Sequence, residues 1–241
     1  MKKIKKMLSI IALSYLMQIA VVYATIKVGN PVYRPPFVFN QEEGFDIDLM
    51  KLLCQKINED CEFHSMEFNN LYIALNEGKL DLAIGGITIS QARKATYIFS
   101  LPYMESHGQF IALKNSGLKS ISDLKGKKIG AVRGSDYEDF LVNHYGLEFE
   151  IALYEGPVAL IASLNQGDTD AIFSDSISMK YWRQTSDGVL VNVGDPMTVG
   201  GGFAIMALPQ KADLIESINQ QLLKIEKDGN YIKLYNSYLT D

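Results

Sequence analysis

Apolar residues recur at helical spacing over residues 45–57, where Ile47, Leu49, Met50, Leu52, Leu53 and Ile57 fall on one side. Ahead of them, residues 26–29 (Ile-Lys-Val-Gly) read as a short strand. Strand-like and helix-like segments then alternate to the end of the chain. That alternation predicts an α/β architecture with mainly parallel sheets.

One stretch returns later in the chain. Leu71 to Gly86 reads LYIALNEGKLDLAIGG, and Leu160 to Asp175 reads LIASLNQGDTDAIFSD. At a constant offset of 89 they share Leu71/Leu160, Leu75/Leu164, Asn76/Asn165, Gly78/Gly167 and Asp81/Asp170. Each predicts an amphipathic helix, a glycine stop, a polar turn and a short buried strand. Two similar lobes follow, with Gly85-Gly86 and Ser174-Asp175 at equivalent strand exits. A second pair of exits is Asn30-Pro31-Val32-Tyr33 after strand 26–29, and Arg133-Gly134-Ser135-Asp136 after a strand at 129–132. Ligands of open α/β sheets sit beyond the carboxyl ends of strands, so facing lobes predict a cleft there.

Composition adds a compartment. The chain has 241 residues, 47% hydrophobic, which excludes a disordered polypeptide. Lys2, Lys3, Lys5 and Lys6 precede a mostly apolar run from Met7 to Ala24 that ends Val22-Tyr23-Ala24. This order predicts a signal peptide over residues 1–24, cut after Ala24. The leader holds four of the 23 Lys and Arg residues and none of the 28 Asp and Glu, so the remaining chain carries a net charge of −9. An acidic chain argues against nucleic acid or an anionic membrane as partner. Without a cysteine in the leader there is no lipid anchor, and export points to the periplasm. Cys54 and Cys61, in an oxidising compartment, predict one disulfide. Seven residues of unbroken helix would hold their Cα atoms about 10.5 Å apart, beyond reach of a bridge, so the helix must end near Asn58-Glu59-Asp60.

Motifs of catalysis are scarce. His64, His107 and His144 lack metal-ligand spacing, and no cofactor or metal is expected. Gly126-Lys127 lacks the first glycine and the following Ser or Thr of a phosphate loop. Gly200-Gly201-Gly202 leads into a strand rather than a helix, and no G-x-S-x-G elbow occurs.

Four stretches act together: VYRPPF (32–37), GFDIDLMKLLC (44–54), LDLAIGGITISQARKATYIFSLPY (80–103) and DLKGKKIGAVRGSDYEDF (123–140). As a set they resemble the periplasmic polar amino-acid-binding proteins of ABC importers, most closely the arginine, lysine/arginine/ornithine and histidine binders. The resemblance implies two α/β lobes joined by two crossover strands. Lobe one would comprise 25–108 and 200–241, and lobe two 109–199, with crossovers near Phe110-Ile111-Ala112 and Gly200-Gly202. It implies a ligand site in the cleft. Arg93 would hold the ligand carboxylate, as a bidentate fork suits, assisted by Thr88 and the backbone of Gly85 and Gly86. Ser135, Asp136 and Tyr137 open a helix whose N-terminus would face the same carboxylate. Asp136 would repel it unless turned toward Arg133 or solvent. Asp175 would take the α-ammonium. Tyr33 and Phe68 would sandwich the ligand side chain, and Asp46 would meet its cationic end. Asn30 stands where the basic-amino-acid binders often have an acid, and with Arg34 nearby it suits a neutral or acidic ligand.

The reading is a monomeric periplasmic protein that captures a polar, basic L-amino acid, arginine first, and passes it to an inner-membrane permease. The rival is a periplasmic enzyme on the same scaffold, of the cyclohexadienyl dehydratase kind.

Overall fold

Two parallel ladders organise the chain, which is described here over residues 25–240 by a computed structural model. The leader expected over residues 1–24 lies outside the described residues. In the first ladder, β1 (Ile26–Pro31) lies between β2 (Cys61–Met66) and β3 (Leu82–Ala83), parallel to both. In the second, β6 (Lys128–Val132) lies between β7 (Glu150–Tyr154) and β8 (Ala171–Asp175), again parallel to both. Antiparallel strands extend each ladder to five. β10 (Met206–Ala207) and β4 (Ile98–Phe99) complete the first sheet, in order β2-β1-β3-β10-β4. β5 (His107–Leu113) and β9 (Leu190–Thr198) complete the second, in order β7-β6-β8-β5-β9. These are two α/β lobes.

The helices are α1 (Phe45–Ile57), α2 (Phe68–Asn76), α3 (Gln91–Lys94), α4 (Asp136–Tyr145), α5 (Pro157–Gln166), α6 (Ser176–Gln184), α7 (Ala212–Lys227) and α8 (Asn230–Tyr238). Each sheet is covered on both faces, so strand residues alternate between two cores. In β8, Ala171 and Phe173 join one buried cluster and Ile172 the other. In the first lobe, α7 presents Ile215, Ile218, Leu222 and Ile225 to Leu49 and Leu53 of α1.

The internal repeat is structural. The first copy forms α2 and β3; the second forms α5 and β8. Gly78 and Gly167 both turn the chain with positive φ, at 68° and 78°. Leu82 pairs with Val28, and Ala171, its partner at offset 89, pairs with Ile129. The shared aspartates make the same bonds. Asp81 Oδ2 accepts the Lys27 amide at 2.8 Å, and its own amide donates back to the Lys27 carbonyl at 2.8 Å. Asp170 does so with Lys128 at 2.9 and 2.8 Å. Each aspartate thus pins the turn ahead of a core strand.

α1 ends at Ile57, where Asn58 turns the chain in the left-handed conformation with φ 59°. Cys61 then folds back, and Cys54 and Cys61 form a disulfide with Cα atoms 6.2 Å apart.

Two connections join the sheets. Met104 is bridged to Phe203, His107 pairs with Thr198, and the Val199 amide donates to the Ser106 carbonyl at 3.0 Å. Phe110-Ile111-Ala112, expected at the first crossover, instead lies inside β5, paired with β8 and β9. All three side chains are fully buried in the second lobe's cores. An apolar run of this kind belongs inside a sheet, and the polar Glu105-Ser106 pair makes the passage instead.

The paired aspartates generate a prediction. Asp81→Ala and Asp170→Ala should each lower stability by about 1–2 kcal/mol, the scale of a partly exposed charge-assisted hydrogen bond. Urea unfolding measures it; unchanged midpoints in both variants would make the shared bonds incidental.

Candidate functional site

Parallel strands in each sheet end at the same level, and four exits converge. From the first lobe, β1 runs into Val32-Tyr33-Arg34 and β3 into Gly85-Gly86. From the second, β6 runs into Arg133-Gly134-Ser135 and β8 ends on Asp175. Between them lies a cavity of about 400 Å³, lined from the first lobe by Pro31, Val32, Tyr33, Arg34, Glu67 and Phe68. Ser135, Tyr137, Glu155, Pro157, Asp175 and Met179 are among the residues that face it from the second.

Two ion pairs cross this cleft. Arg34 Nη2 donates to Asp175 Oδ2 at 3.0 Å, with side chains 13% and 1% exposed. Arg93 Nη1 pairs with Asp136 Oδ2, with side chains 10% and 8% exposed. Burial pulls the Arg34 pKa down, but the Asp175 carboxylate, then Tyr137 and Asp46, more than offset it, so the group is held more firmly charged. Burial pushes the Asp136 carboxyl up against the pull of Arg93.

Local structure fixes each partner. Asp175 caps α6, its Oδ1 accepting the Ser178 amide at 2.7 Å, which leaves Oδ2 for Arg34. Arg93 sits in the short helix α3, capped by Ser90, and its Nη1 also donates to the Thr88 carbonyl at 2.9 Å. Ser135 caps α4: its Oγ accepts the Glu138 amide at 3.2 Å and donates to the Val132 carbonyl at 2.6 Å. The Glu138 carboxylate reaches back to the Gly134 amide at 2.6 Å. The α4 N-terminus is therefore well supplied with acceptors, and Asp136 is its first helical residue.

Of the residues expected in the site, Tyr33, Phe68, Ser135, Tyr137 and Asp175 line the cavity. Arg93 and Asp136 lie beside it, joined to it through Phe68. The others face elsewhere. Asn30 is fully buried, and its Nδ2 donates to the Pro31 carbonyl at 2.8 Å and to Ser65 Oγ at 2.9 Å. It braces β1 against β2. Thr88 is buried at the bridge to Phe203, its Oγ1 3.4 Å from Ser106 Oγ. Gly85 and Gly86 have φ of 144° and 61°, and a Cβ on Gly85 would lie 2.2 Å from Pro31 Cδ. The glycines allow this close passage, and the Gly86 amide is taken by Asp46.

Asp46 does not line the cavity. Its Oδ2 accepts the Gly86 amide at 2.6 Å and the Tyr103 hydroxyl at 2.9 Å in a fully buried position. As the N-terminal turn of α1 inserts into the first core, it carries Asp46 inward with Phe45 and Ile47. Asp46 Oδ1 has no hydrogen-bond partner among the described residues. Burial outweighs the two donors and pushes the Asp46 carboxyl up to about 7.

The sandwich also differs from expectation. Phe68 is covered by arginines of the protein itself: the guanidinium carbons of Arg34 and Arg93 lie 5.5 and 5.7 Å from its ring centroid. Tyr33 turns edge-on to Trp182 of the opposite lobe, with centroids 6.3 Å apart. Asp136 turns to Arg93, rather than to Arg133 or solvent, because Arg133 is engaged with Glu155 at 2.8 Å. Arg34, expected only near the ligand, enters the site as the partner of Asp175. One feature was missed in the sequence. Ser178 lines the cavity with a buried Oγ lacking a hydrogen-bond partner among the described residues, and nothing in its surroundings distinguished it.

Comparison with known proteins places this geometry. The bacterial extracellular solute-binding proteins, family 3, match over residues 26–241. ABC transporter arginine-binding protein 1 of Escherichia coli K12 is 31% identical over 88% of this chain and 90% of its own. The arginine-binding periplasmic protein of Mannheimia haemolytica is 30% identical over 89% and 90%. The crystal structure of an arginine 3rd transport system periplasmic binding protein from Legionella pneumophila superposes with a TM-score of 0.84. It is 34% identical, over 89% of this chain and 99% of that one.

The buried Asp46 has a pH signature. An unfolded aspartate titrates near 3.9, so between pH ~4 and ~7 the folded state binds the extra proton. The stability contributed by the neutral carboxyl is complete below pH ~4 and is lost as pH rises to about 7. Asp46→Asn cannot lose it. Relative to the native chain, the variant should gain stability between pH 4 and 8, with roughly 4 kcal/mol as the ceiling at 1.36 kcal/mol per unit. Urea unfolding of both proteins across that range checks it; a constant difference would mean that Asp46 is ionised throughout.

Proposed function

The chain belongs to the bacterial extracellular solute-binding proteins, family 3, and from that premise we propose that it captures a polar amino acid, arginine first, for an ABC importer. The observation that carries this reading is the placement of Arg93, in the short helix α3 of one lobe, and Asp175, at a strand exit of the other, beside one cavity. A free amino acid presents one carboxylate and one ammonium. A guanidinium on one lobe and a carboxylate on the other suit those ends and let the ligand bridge the lobes.

The side-chain pocket fits a cationic ligand with an apolar stem. Val132, Pro157, Val158, Ala159 and Met179 supply apolar wall, and Glu67 and Glu155 supply carboxylates. The relatives described above bear names that point to arginine. The relatives named for arginine are binding proteins, which favours a binding protein over a dehydratase. In this proposal lobe one is 25–108 with 200–241, lobe two is 109–199, and a hinge at the two connections opens and closes the cleft. The protein works in the periplasm as a monomer, after removal of residues 1–24, and docks on an inner-membrane permease.

Calorimetry with arginine, lysine, histidine, glutamine and glutamate tests the reading. Arginine should bind at least about tenfold tighter than glutamine, a difference of ~1.4 kcal/mol. Glutamate outbinding arginine would reverse the charge assigned to the pocket. Arg93→Ala should weaken arginine binding by a factor of about 30 or more, because the ligand carboxylate then meets an unpaired Asp136. Unchanged affinity in a folded variant would place the carboxylate elsewhere.

A further inference from the structure

Among the described residues that line the cavity, Arg34 is the one cation; Arg93 lies beside the cavity, outside its lining. The lining also holds Asp175, and Arg34 Nη2 donates to Asp175 Oδ2 at 3.0 Å. A positive and a negative group thus face the cavity side by side. We propose that Arg34 is a specificity-determining residue that binds the ligand's carboxylate, so that Arg34 and Asp175, as one intact pair, read the charged head of an α-amino acid.

The first lobe fixes this guanidinium in place. Its carbon lies 5.9 Å from the Phe37 ring centroid and 5.5 Å from that of Phe68. Gly86 makes room for it: a Cβ there would lie 3.2 Å from Arg34 Nε. A guanidinium carries five N–H donors. The bond to Asp175 is the one hydrogen bond this guanidinium makes among the described residues. Asp175 also keeps capacity. Its Oδ1 accepts the Ser178 amide and its Oδ2 accepts Arg34, while a carboxylate offers roughly four lone-pair sites. Neither partner is saturated by the other.

Spacing and charge then select the ligand. The ammonium nitrogen and carboxylate carbon of an α-amino acid are about 2.5 Å apart, close to the separation of the Arg34–Asp175 pair. Laid antiparallel to that pair, the ligand sets its carboxylate on Arg34 and its ammonium on Asp175. The four charges then alternate in sign. Drawing Asp175 away from Arg34 would strip a buried guanidinium of its partner, which is strongly unfavourable. The antiparallel arrangement leaves the pair whole and gives each ligand charge an opposite neighbour. An amine that lacks the carboxylate would gain Asp175 but set its cation beside Arg34 with nothing between them. Arg93 remains within the same field, since both guanidinium carbons lie within 6 Å of the Phe68 centroid. Glu67 and Glu155 are left for the ligand's side chain.

The inference rests on the amino-acid reading and deepens it. Competition calorimetry with arginine and with agmatine, the same molecule without its carboxylate, tests it on the native chain, Arg34→Gln and Arg34→Lys. Circular dichroism establishes that each variant is folded; should Arg34→Gln not fold, Arg34→Lys carries the comparison. The native chain should bind arginine at least about tenfold tighter than agmatine. Arg34→Gln should weaken arginine binding by at least about tenfold and leave agmatine binding unchanged or tighter. Agmatine keeps the ammonium, so an equal loss for both ligands would mean that Arg34 acts only by holding Asp175, and would overturn the proposal. Unchanged arginine affinity in a folded variant would overturn it too. With agmatine too weak to compete on any of the proteins, arginine alone decides. Weakening in Arg34→Gln that Arg34→Lys partly restores supports the proposal, and equal weakening in both overturns it. A native chain that binds none of the five amino acids named above would overturn the amino-acid reading and this proposal with it. Native binding that the Arg34 variants leave untouched would overturn this proposal alone.

Discussion

Neutralising buried charge across the cleft is the constraint on which the rest of the site depends. Arg34 and Asp175 arrive from different lobes, and the Asp175 carboxylate, reaching across the cleft, is the largest influence offsetting the burial of Arg34. Bringing the lobes together and pairing these charges are one event. The Arg93–Asp136 pair repeats the arrangement on the far side of Phe68. A closed cleft in this protein is therefore an electrostatic state, and the aromatic rings beneath the guanidiniums give that state a fixed geometry.

The scaffold places those charges through repetition. Asp81 and Asp170 tie the start of equivalent strands to equivalent neighbours, so β3 and β8 leave their sheets at matching heights. Residues just past them reach the cleft from both sides. Their next positions have diverged: Gly85-Gly86 passes tightly against Pro31 and feeds an amide to Asp46, whereas Asp175 faces the cleft. One lobe uses its exit for internal bracing, and the other presents its exit to the cleft.

Much of this was legible before any coordinates. The offset of 89 identified both αβ units and their exits, because a glycine stop and a buried strand are local and repeat with the chain. The disulfide was legible because compartment and helix length constrain it. The expected residues that do not line the cavity share a cause. Asp46, Asn30 and Thr88 lie beside the cleft in sequence pattern, but which way a side chain points at a helix start or strand end is decided by tertiary packing. Asp46 turns into the core with Phe45 and Ile47, and Asn30 turns to Ser65. Likewise, the partner of Asp136 lies 43 residues away on another lobe, beyond any local pattern. The crossover lies nearer the N-terminus than expected, at Glu105-Ser106, because Phe110-Ile111-Ala112 reads equally as a connecting or a core strand.

The claim that the cleft takes an amino acid between Arg93 and Asp175 is tested most directly by calorimetry with arginine on the native chain and on Asp175→Asn. The native chain should bind arginine, and the folded variant should bind it at least about tenfold more weakly. Equal affinity in the two proteins would contradict the account.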